Sequence, residues 1–144
     1  MNTPSPSRRL IEQFWSLRYK DHNEARTIAV AAEACAMGAS KRIDETWARF
    51  LMLVCDTARE PLVSQLDDYQ ALRAEFALLG DEAGVTMSQV QYATVLWYVG
   101  RSDEGWEILR RDVEPQLHRL ERNHRYTAYI GLLCAASGIG DEVA

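Results

Sequence analysis

One seven-residue pattern recurs along the chain and constrains it most. Gly100-Arg-Ser-Asp-Glu-Gly105-Trp106 is echoed by Gly138-Ile-Gly-Asp-Glu-Val143-Ala144, and more loosely by Lys20-Asp-His-Asn-Glu-Ala25-Arg26. Each copy reads as a tight turn that opens an acidic helix start. The marker residues Glu24, Glu104 and Glu142 fit a period of roughly 40 residues, and self-similarity at such a period means a stack of similar units. The last copy stops at Ala144, so the final repeat is expected to be incomplete, the array being cut or ending at the entrance to a helix.

Between the turns almost everything has helical spacing. Ser7 is a plausible N-cap, followed by Leu10, Phe14 and Leu17 at intervals of one helical turn. Residues 1–7 are expected to form a flexible arm and 8–144 the repeat domain. A second helix, Glu24 to Met37, is rich in alanine and meets Gly38 where a C-cap glycine belongs. A third carries Trp47, Phe50, Leu51 and Val54. A fourth is expected to start at Pro61, with Leu62, Leu66, Tyr69, Leu72, Phe76 and Leu79 on one face and Gly80 and Gly84 at its end. The fifth holds Tyr92, Ala93 and Leu96. The sixth starts at Asp103 and contains Pro115, which removes a bond to the Arg111 carbonyl and should kink it. The seventh spans about Asn123 to Ser137. No segment alternates with period two, so the expected class is all-α: about seven helices in antiparallel hairpins, stacked as an α-solenoid.

Composition narrows the function classes. Apolar residues make up 47% and charged residues 26%, an ordinary globular balance and not a disordered one. The net charge of −5 argues against nucleic acid, which needs a basic face. The arginines from Arg110 to Arg125 are interleaved with Asp112, Glu114 and Glu121 and read as a solvated mixed-charge face. No apolar run is long enough to span a membrane, and the start lacks a secretory signal, so a cytoplasmic location is expected. Cys35, Cys55 and Cys134 have neither disulfide-framework nor zinc spacing. His22, His118 and His124 form no ligand pair, and no phosphate loop or nucleophile elbow is present. Neither catalytic residues, a metal nor a cofactor is expected.

Trp47-x2-Phe50-Leu51-x2-Val54 has the spacing of Gln89-x2-Tyr92-Ala93-x2-Leu96 and of Thr127-x2-Ile130-Gly131-x2-Cys134. All four positions share a helical face, and the small third member admits a close neighbour. This pattern resembles the tetratricopeptide repeat, with Tyr92-Ala93 and Ile130-Gly131 in its Leu-Gly positions. The resemblance covers nearly the whole chain, with repeats longer than the usual 34 residues. It implies a regulatory, protein-binding domain of a bacterial signalling protein. Such arrays stand ahead of effector domains such as GGDEF-type diguanylate cyclases. A stand-alone scaffold or adaptor for a partner peptide is one alternative, and an all-α enzyme with an unrecognised site is another.

In such a stack the first helix of each pair lines a concave surface. The resemblance thus implies a peptide-binding groove built from Ala48, Met52, Cys55, Val90, Thr94, Trp97, Tyr98 and Leu132. Trp97 and Tyr98 are its expected anchors. The unfinished last pair leaves Ile130, Leu133 and Cys134 as an uncovered face, where a homodimer contact is expected.

Overall fold

The structure is a computed structural model that describes the backbone of residues 3–143 and the side chains of residues 3–137. Seven α-helices and no strand occur among the described residues: α1 Pro6–Leu17, α2 His22–Gly38, α3 Arg42–Arg59, α4 Gln65–Leu78, α5 Glu82–Tyr98, α6 Ser102–Ile108 and α7 Arg122–Val143. They form two compact units, Met1–Arg59 and Glu60–Ala144. None of these helices is long and apolar enough to cross a membrane.

One turn recurs in both units. At the end of α2, Ser40 has φ 54°, its N–H donates to the Met37 carbonyl (3.2 Å) and the Lys41 N–H to that of Ala36 (2.8 Å). At the end of α4, Gly80 (φ 73°) donates to Ala77 (3.1 Å) and Asp81 to Phe76 (2.9 Å). At the end of α5, Gly100 (φ 83°) donates to Trp97 (3.2 Å) and Arg101 to Leu96 (2.8 Å). Each is a Schellman motif, in which a left-handed residue lets two otherwise orphaned carbonyls be satisfied while the chain reverses. The next helix starts at once. Asp81 then serves as the N-cap of α5, its carboxylate accepting from the Gly84 N–H (2.9 Å). Asp21 caps α2 in the same way through Glu24 N–H (3.0 Å).

In the first unit α2 packs against both α1 and α3, and α3 also touches α1. Ala25, Ala29, Ala32 and Ala36 form a fully buried stripe on α2, whose short side chains allow close helix approach. Ile11, Phe14 and Trp15 from α1 and Trp47, Phe50, Leu51 and Val54 from α3 complete this unit's core. The cap of α1 is Ser5, two residues before the expected Ser7, and Ser7 is itself buried. The cause is Asp44, buried in the first turn of α3. It accepts from Ser7 Oγ (2.6 Å) and Ser5 Oγ (3.0 Å) and pairs with Arg8 (2.8 Å). A buried carboxylate needs such a full set of donors.

In the second unit α5 is the central helix, contacted by α4, α6 and α7, and α7 packs on both α5 and α6. The contacts are tight because glycines lie at them. A Cβ at Gly84 would meet the buried Phe76 ring of α4 at 2.3 Å, one at Gly105 the Ala93 carbonyl at 3.0 Å, and one at Gly131 Val90 Cγ1 at 3.3 Å. Gly84 therefore does not end α4. It lies in the first turn of α5. The start of α4 also falls later than Pro61: its first residue is Gln65, whose side chain accepts from Leu62 N–H (3.1 Å) and donates to the Glu60 carbonyl (3.1 Å). Leu62 and Val63 are consequently exposed.

Pro115 is accommodated by more than a kink. The helix widens into a π-helical turn at Leu109–Val113 and then tightens into a 3-10 segment, Glu114–Arg119, with the proline in its first turn. There the missing N–H costs little. The change of pitch keeps Leu109, Val113 and Leu120 buried. Finally, α7 runs without interruption across Gly138-Ile-Gly-Asp141, so the turn expected there is not formed.

The three Schellman turns make an internal comparison. No atom lies within 4 Å of a Cβ built on Gly80 or Gly100, so an alanine there meets only the left-handed penalty. Gly80→Ala and Gly100→Ala should each lower the unfolding free energy by about 1–2 kcal/mol, whereas Ser40→Gly should raise it by about 0.5–1 kcal/mol. Urea denaturation followed by circular dichroism measures both signs, and destabilisation by Ser40→Gly contradicts the assignment.

Candidate functional site

A concave apolar surface lies in the second unit, between α6, the 3-10 segment and α7. A furrow of about 520 Å³ is lined by Trp106, Leu117, Tyr129, Leu132, Leu133 and Ala136, together with Glu114. Glu114 is paired with Arg110, whose guanidinium lies 5.3 Å from the Trp106 ring centroid. Beside the furrow runs a ridge. Tyr126, Tyr129 and Leu133 follow each other at helical spacing on α7 and are 58%, 50% and 71% exposed. The opposite side of α7 holds Ala128, Gly131 and Ala135, all buried. Small residues thus lie on the packed side of α7 while Tyr126, Tyr129 and Leu133 face solvent, an apolar exposure unusual for a surface helix.

The furrow exists because of the π-helical turn. Asp112, in that turn, accepts from Gln89 Nε2 of α5 (2.8 Å) and from Arg111 Nε (2.9 Å). The Arg111 bond, reinforced by that from Gln89, holds the Asp112 carboxyl below the usual carboxylate range. This anchor fixes the chain just before the 3-10 segment that supplies Leu117.

The residues expected to line a groove are distributed as follows. In the first unit Ala48 and Cys55 are buried and Met52 is half-buried. In the second, Val90 is buried, Thr94, Trp97 and Leu132 are half-buried, and Tyr98 is 47% exposed with its ring 4.7 Å from that of Trp97. Thr94 Oγ1 is satisfied by the Val90 carbonyl (2.9 Å). Leu132 and Leu133 meet at the furrow, and Ile130 and Cys134 beside them are half-buried. Sequence reasoning missed Trp106, Leu117 and Tyr129. The one available signal was the i, i+3, i+7 spacing of Tyr126, Tyr129 and Leu133.

Other titratable groups have structural surroundings. Burial pushes the Cys55 thiol up to about 11, against the opposing pull of Arg18 and Arg26. Burial also raises Cys134. His124 is buried, 3.4 Å from Glu121, while His118 is exposed. Among the described residues no three His, Cys, Asp or Glu side chains gather as a metal-holding group. Comparison with known proteins gives no matching family, no matching curated protein and no matching solved structure.

Two measurements check this description. Asp112 has a folded pKa below its unfolded value of about 3.9, so its stabilisation is complete above that value and is lost as pH falls through the folded one. The stability difference between wild type and Asp112→Asn should be constant from about pH 5 to 7 and shrink below about pH 4. A difference that grows on acidification contradicts the assigned partners. At pH 8, iodoacetamide should leave Cys55 unmodified until urea unfolds the chain, because only thiolate reacts.

Proposed function

We propose that the chain is a regulatory protein-interaction module, built as a tetratricopeptide-like stack of helical hairpins and controlling an effector domain such as a diguanylate cyclase in a bacterial signalling protein. The observation that carries the interaction reading is the ridge and furrow on α7. Large apolar side chains are exposed there on a helix whose other side is anchored by small residues, and contiguous exposed apolar surface marks contact sites. The stacked-repeat reading draws on the thrice-used turn and on a shared packing rule. In α1-α2-α3 and again in α5-α6-α7, the third helix touches both of its predecessors. The signalling context rests on the resemblance of the repeated spacing alone and is fold-level analogy.

The test is functional. The effector encoded together with this chain, assayed with and without it, should differ in rate by at least about threefold, a shift of about 0.65 kcal/mol or more in a regulatory equilibrium. An unchanged rate contradicts regulation. A reading frame that encodes no effector favours a stand-alone adaptor instead.

A further inference from the structure

We draw no further inference here: the strongest candidate, the apolar furrow between α6, the 3-10 segment and α7 with the ridge of Tyr126, Tyr129 and Leu133 beside it, carries nothing beyond the contact surface already described, because nothing among the described residues shows what covers it.

Discussion

Three amide-to-carbonyl bonds decide where this chain turns: Lys41 to Ala36, Asp81 to Phe76 and Arg101 to Leu96. Each closes across a residue in the left-handed region and leaves only three residues between helices. A reversal that short cannot send the next helix elsewhere; it must return along its predecessor. Apolar stripes are thereby brought face to face. The buried alanines of α2 meet their neighbours in one unit, and α5 receives α4 and α6 in the other. The hydrophobic effect supplies the driving force, but it is not directional. Direction comes from these turns.

Close approach follows, with a functional consequence. Gly105 and Gly131 let α6 and α7 come near α5, and the buried side of α7 includes Ala128, Gly131 and Ala135 beside Thr127 and His124. Tyr126, Tyr129 and Leu133 are left outward. The π-helical turn, held to α5 by Asp112 and Gln89, then brings Leu117 to the same place. The exposed apolar surface is thus a product of the packing rule and not a separate addition to it. Substituting any of the anchoring small residues would displace the furrow as well as weaken the core.

Much of the helical pattern could be read locally. The spacing of Trp47, Phe50, Leu51 and Val54 and the alanine spacing of α2 both identify faces that are buried. The turns were harder. Gly80-Asp81-Glu82-Ala83 is a further copy of the turn motif, although locally Gly80 and Gly84 read only as a helix end. Gly84 is needed because Phe76 lies against it, a fact of tertiary contact that no local pattern contains. The turn at Ser40 has the same geometry without any glycine. Conversely, Gly138-Ile-Gly-Asp141 carries the letters of the turn but lies within α7. A glycine permits the left-handed conformation without imposing it, at a cost of about 1 kcal/mol inside a helix. The furrow was only half legible. Leu132 and Leu133 were named for their places in a repeat, whereas Trp106 and Leu117 join them through a change in helical pitch that begins before Pro115.

Native-state hydrogen exchange on the Lys41, Asp81 and Arg101 amides tests the central role of the turn most directly. As donors in 6→1 bonds that close each turn onto the helix before it, these three should exchange well below the rate of a free peptide. Exchange at all three near the rate of a free peptide would contradict a chain organised by this turn.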